Sequence, residues 1–313
     1  MNLEKFFLRH TELYNFLKRL KFDLLYTDFT KTIKVRKLSD KIQDQIFLCN
    51  DRYKNKIIKF FDFKMKIQCK NIHDLYFYYL YKNKKIYEPG VTYLINSKLN
   101  SSEIFVDVGA NNGYYSLLAS KIVGKKGIVY SIEPDRQNFK KLIKNIKLNK
   151  IKNIKLNKIK NIIPIQTAVG DKIGKALLNR SPIEDGQNSL LDLPESKEYI
   201  EVNIDMLDNL ITKADMIKID VEGYEENVLI GSKKLLNKVK RVIFEYNHEL
   251  IYKGNKNYNG AINILKRKGF HLFQIYDAPP YINTTHEINS VADLETFLQI
   301  FLQQKLNQII SSV

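Results

Sequence analysis

Residues 104–114, IFVDVGANNGY, decide the fold of this chain. Ile104 to Val108 is a short β-branched and aromatic run ending at Gly109, and it predicts a strand. Tyr114 to Val123 predicts a helix, stopped by Gly124. Outward from this unit, Gly127 to Glu133 predicts a second strand. Pro134 opens a second helix from Asp135 onward, where proline is tolerated. Further strands are predicted at Ile162–Val169, Met216–Val221, Arg241–Tyr246 and Phe270–Ile275, with helices between several of them. Strands that alternate with helices build a parallel α/β sheet.

The turn between the first strand and the first helix carries chemistry. Its glycines, Gly109 and Gly113, have the spacing G-x-x-x-G behind an acid, Asp107. That is not the G-x-G-x-x-G of dinucleotide binding, and no Gly-Lys-Ser/Thr follows, which excludes a P-loop. A loop running into a helix N-terminus presents free backbone N–H groups that suit a carboxylate. Asp107 suits a nearby ammonium, so the ligand is expected to contain an amino acid. Glu133 ends the second strand, where a carboxylate can accept both hydroxyls of a ribose. A nucleoside joined to an amino acid is S-adenosylmethionine.

Five segments then resemble a known family. VDVGANNGYYSLLAS (106–120), VYSIEPDRQNFKKL (129–142), AVGD (168–171), KIDVEGYEENVLIG (218–231) and VIFEYN (242–247) occur in the order of the FkbM-type methyltransferases. The resemblance covers about residues 86–290, with Tyr87, Glu88 and Pro89 as its leading edge. It implies a class I methyltransferase fold: a Rossmann-like, doubly wound, mostly parallel seven-stranded sheet with helices on both faces. It also implies S-adenosylmethionine as donor and a hydroxyl acceptor, often on a sugar or natural product. Carried over by position, Asp107, Gly109, Asn111 and Gly113 form the donor loop, Glu133 binds ribose, and Asp171 lies near the adenine. Asp220, Glu222 and Gly223, at the end of the fourth strand, face the methyl group. His248, after the fifth strand, is a candidate general base. Asn188 and Ser189 match a short segment that contacts donor or acceptor, or else form a solvated loop.

Composition bounds the rest. The chain has 313 residues, enough for one large domain or one domain with an extension. The expected division is a basic N-terminal extension, 1–85, helical with short β-structure, and a catalytic domain, 86–313. Residues 71–99 are expected to be mostly helical up to a break at Pro89 and Gly90. A net charge of +17 is unevenly spread: +11 over residues 1–100 and +10 over residues 136–160, the remainder being slightly acidic. The second basic segment contains a perfect octad repeat, NIKLNKIK at 145–152 and again at 153–160, expected as a helix extension or surface loop. Such charge attracts anionic partners, and a basic amphipathic pattern near Phe6, Leu13 and Leu20 suits a membrane surface or packing on the protein body. Two cysteines, Cys49 and Cys69, make neither a disulfide framework nor a metal motif, so a reducing, cytoplasmic setting is expected. No apolar run is long enough to span a membrane, and the N-terminus has no secretory signal pattern.

The expected activity is O-methylation of a glycan or small-molecule hydroxyl. The rivals are a nucleic-acid methyltransferase and a non-catalytic donor-binding protein at a membrane. The basic segments are not interleaved with an evident aromatic platform, which weighs against nucleic acid. The stretch Asp277 to Tyr281, DAPPY, resembles the Asp-Pro-Pro-Tyr of base methyltransferases, but it follows the sixth strand instead of the fourth and reads as a proline-rich turn.

Overall fold

A computed structural model describes residues 55–68, 72–149, 161–180, 188–191, 198–246, 254, 259–275, 285–287 and 308–312. The N-terminal amphipathic pattern, the second octad, His248 and the DAPPY stretch lie outside the described residues.

The first strand, β3 (Ile104–Val108), is the middle one of five parallel strands in an eight-stranded sheet. It is flanked by β4 (Ile128–Ile132) and β9 (Met216–Ile219), both parallel to it. β5 (Ile162–Ile165) extends the sheet beyond β4, and β10 (Arg241–Glu245) extends it beyond β9, giving five parallel strands in a row. Next to β10 comes β13 (Gln308–Ser312), antiparallel, then β11 (His271–Ile275) and β12 (Thr285–Glu287). The expected parallel core is present, but the sheet has eight strands where seven were expected, because β12 adds an outer edge.

Alternation along each strand splits the interior into two cores, since successive side chains point to opposite faces. Val106, Val108, Ile217, Ile219, Val242 and Phe244 pack on one face. There they meet α5 (Leu207–Leu210), α6 (Glu225–Ile230) and α7 (Gly260–Arg267) through Leu207, Val228 and Leu265. Phe105, Val129, Met216 and Ile243 pack on the other face, against Val91 and Ile95 of α2 (Pro89–Lys98) and Leu117 of α3 (Tyr114–Val123). The hairpin β1 (Lys56–Phe60) and β2 (Phe63–Ile67), with α1 (Ile72–Lys82), buries Ile58, Met65 and Phe77 in this second core. Residues assigned to the extension therefore pack into the second core of the main sheet.

Two local expectations change. Pro89 and Gly90 begin α2 instead of ending a helical stretch, since the missing N–H of proline costs nothing in a first turn. The expected third strand, 162–169, is two strands. β5 carries Pro164 at the sheet edge, where a lost ladder donor is tolerated. β6 (Ala168–Val169) leaves to pair with β8 (Tyr199–Asp205), which also pairs with β7 (Gly174–Asn179) in a separate three-stranded sheet. The second helix is α4 (Arg136–Leu148), capped by Asp135, whose Oδ1 accepts from Gln137 N and Asn138 N.

Candidate active site

Asp107, Glu133, Asp220 and Glu245 all stand at or just beyond the carboxyl ends of adjacent parallel strands, where open α/β sheets bind ligands. The loop after β3 is tied to the end of β4, with Gly109 N and Ala110 N both donating to Ile132 O. Gly109 has φ +82°, and a Cβ there would lie 1.8 Å from the carbonyl oxygen of Asp220. Glycine is thus what lets the loop after β3 touch the loop after β9. Gly113 supplies the N-cap of α3 at φ +90°, and a Cβ there would meet Leu142 of α4 at 2.5 Å. Asn111, also at positive φ, turns its N–H to Glu133 Oε2 at 2.8 Å.

Glu133 is 5% exposed, and its other oxygen accepts from Asp135 N at 2.9 Å. Burial pushes its carboxyl up to about 8, against the backbone hydrogen bonds that favour the charged form. Asp107 is 1% exposed. Its Oδ2 accepts from Ser116 Oγ at 2.6 Å, and Ser116 accepts in turn from Ser131 Oγ. Its Oδ1 is buried and takes no hydrogen bond among the described residues. Burial raises the Asp107 carboxyl, opposed chiefly by the charge of Lys218.

The sequence reading did not assign Lys218 a role. It stands on β9 opposite Asp107, and its Nζ pairs with Asp220 Oδ2 at 2.8 Å. Burial opposes the Asp220 charge, yet Lys218 and a hydrogen bond from Glu245 hold this carboxyl below its ordinary value. Glu245, at the end of β10, is pushed well up by burial and by the charges of Glu222 and Asp220. The hydrogen bond between the two carboxyls lowers Asp220 and raises Glu245. Oxygens of Asp220, Glu222 and Glu245 come within 4.8 Å of one another. That spacing would also suit a cation, but Lys218 already brings a positive charge to Asp220.

Elements the sequence treated as peripheral shape this cluster. Glu88, at φ +38° just before α2, accepts from Tyr115 Oη at 2.6 Å. Tyr87 stacks on Phe77 with ring centres 4.6 Å apart. Ser189 is buried and donates to the carbonyl of Glu222 at 2.6 Å, so the Asn188–Ser189 segment braces the loop after β9. Glu222 holds that loop in its turn with φ +53°. Asp171 is exposed and hydrogen-bonds Tyr224, whose hydroxyl is raised to about 12 by burial and by that carboxylate. It belongs to the turn between β6 and β7, in the smaller sheet. The resemblance singled out Asn188–Ser189 and Tyr87–Pro89, but not that Ser189 braces the loop after β9 or that Glu88 holds the Tyr115 hydroxyl.

Residues 107–272 match the methyltransferase FkbM domain family. Hexuronic acid methyltransferase AglP of Haloferax volcanii is 25% identical over 160 residues, which are 50% of this chain and 62% of that protein. The chain thus spans under two thirds of that relative's length. Among solved structures, the FkbM methyltransferase of Methylobacillus flagellatus aligns at TM-score 0.43 and 15% identity, covering 68% of this chain and 44% of the other. Fibrillarin of Aeropyrum pernix, solved with S-adenosyl-L-methionine, aligns at TM-score 0.37 and 12% identity, covering 69% of this chain and 68% of the other.

Proposed function

Because the chain belongs to the FkbM methyltransferase family, whose methyl donor is S-adenosylmethionine, we propose that it methylates a hydroxyl of a sugar, on a glycan or a small natural product. The donor site fits that cofactor on one direct observation: Asp107 Oδ1 is buried without a hydrogen-bond partner among the described residues, as an acceptor for an ammonium would be. Glu133 is the matching acceptor for ribose hydroxyls, Gly109, Asn111 and Gly113 shape the loop, and Asp171 is assigned to the adenine side. S-adenosylmethionine supplies a methyl group activated by its sulfonium charge.

The acceptor reading rests on the carboxyl cluster of Asp220, Glu222 and Glu245 beside the donor loop. Carboxylates hydrogen-bond hydroxyls and can accept the proton released on methylation. We assign that proton to Asp220 or Glu222, with His248 as the third candidate. Glu245, whose carboxyl burial and the neighbouring charges push up, is the member of the cluster suited to donate. Holding a hydroxyl oxygen in line with the methyl carbon can contribute about 7–11 kcal/mol. The sugar-modifying name of the Haloferax relative supports the acceptor class. Tyr87 and Tyr115 border the same cluster, but a sugar ring and a base both lie well on aromatic faces, so the carboxylates carry the reading.

Isotope-labelled S-adenosylmethionine tests it, incubated with glycan and metabolite fractions from the source cells. Label is expected on sugar hydroxyl oxygens. Label on base nitrogens or on protein side chains, with none on sugar, overturns the reading.

A further inference from the structure

Lys218 is 2% exposed, and a bare ammonium that deep is expensive unless paired. Its surroundings come from four elements. Asp220 lies two residues on, with Oδ2 at 2.8 Å from Nζ. Asp107 stands opposite on β3, a strand spacing of about 4.8 Å away, on the same face of the sheet. Tyr115 of α3 places its ring under the ammonium, with the ring centre 4.7 Å from Nζ. Glu88, ahead of α2, accepts from the hydroxyl of that same tyrosine. Glu245, Glu222 and His73 act on Lys218 through Asp220 or through one another.

We propose that Lys218 is a positioning residue: one buried cation shared by the carboxylate that receives the donor's ammonium and the carboxylate that faces the acceptor, so that the two halves of the site depend on each other. This rests on the assignment of Asp107 to the donor and Asp220 to the acceptor. The physical need is plain. Asp107 and Asp220 repel each other in a low-dielectric setting, and each is pushed toward its neutral form by burial. A neutral Asp107 would lose its attraction for an ammonium. Lys218, paired with Asp220 and opposite Asp107, favours the charged form of both, and the charge of Glu88 adds to the field that keeps Lys218 protonated.

Calorimetry on the full chain tests this with two probes. S-adenosylhomocysteine carries the amino-acid half, and methylthioadenosine lacks it. In Lys218→Met, S-adenosylhomocysteine is expected to bind at least about tenfold more weakly near pH 6.5, a loss of about 1.4 kcal/mol. Methylthioadenosine should bind Lys218→Met and the parent within about twofold, because it bypasses Asp107. Lys218→Arg should restore most of the lost affinity, since it keeps the charge. If Lys218→Met does not fold, the double variant Lys218→Met/Asp220→Asn removes both charges of the pair, and the same selective loss is expected from it. Unchanged affinity for S-adenosylhomocysteine, or equal weakening of both probes, overturns the proposal. If the parent protein binds neither probe, the donor assignment itself falls, and the proposal with it.

Discussion

At the scale of single residues, Glu225 shows how burial is spent on holding a loop. It is 3% exposed, and its Oε1 alone accepts from Val221 N at 3.2 Å and Gly223 N at 3.1 Å. Burial pushes its carboxyl up to about 7. A carboxyl raised in the folded state contributes stability below its unfolded value, and that contribution is lost as pH rises through the folded value. Donor-free protein should therefore lose on the order of 2–3 kcal/mol through Glu225 between about pH 4.5 and pH 7.5. Glu225→Gln keeps the accepting oxygen and removes the titration. Chemical denaturation at the two pH values should show a smaller loss in this variant than in the parent; equal losses would contradict the assignment. Asp107 and Glu133 could be read from the sequence because each belongs to an apolar run that ends in a turn. Lys218, Glu245 and Glu88 could not, because their roles depend on which side chains stand across the sheet or on another helix.

At the scale of elements, α4 does more than cover the sheet. Its fully buried Asn145 accepts from Lys66 N at 2.7 Å and donates to Asn112 O at 2.8 Å. Asn149 accepts from Lys64 N and donates to Lys64 O. The two amides satisfy the open edge of β2 and tie the hairpin to the donor loop through Asn112. Asn145→Ala leaves a buried backbone N–H and a carbonyl unpaired, and should cost about 2–4 kcal/mol in denaturant unfolding. A cost below about 0.5 kcal/mol would show that water replaces the amide. Both asparagines belong to the first copy of the octad. The repeat was legible at once, whereas the clamp was not, because its partners lie 79 and 85 residues away.

At the scale of the molecule, the fold joins the two basic segments of the sequence. Arg136, Lys140, Lys144 and Lys147 are exposed along one side of α4, at helical spacing. The asparagine clamp sets this stripe beside the hairpin, where Lys56, Lys59 and Lys64 are exposed together with Ile57 at 54% and Phe61 at 50%. Positive charge around apolar side chains suits an anionic membrane surface. Vesicles with anionic headgroups are expected to retain the protein at low salt and release it at high salt. Reversal of Lys140, Lys144 and Lys147 to Glu should weaken retention several-fold, while neutral vesicles retain neither form. Equal retention of both forms on anionic vesicles would refute this surface.

What the sequence determined by itself was the alternation of parallel strands and helices in the main sheet, the glycine turn after its first strand, and the acids at the strand ends. These are local: hydrophobic period, glycine at a turn, a carboxylate where a strand stops. Tertiary structure alone decided that Val169 leaves the main sheet and that the hairpin completes the core. It also decided that the buried Asp107 and Lys218 share one electrostatic site with the partly exposed Asp220, Glu245 and Glu88. The reason is physical. Side-chain direction along a strand follows from its period of two, but the neighbour across the sheet follows from strand order and register, which no local pattern encodes.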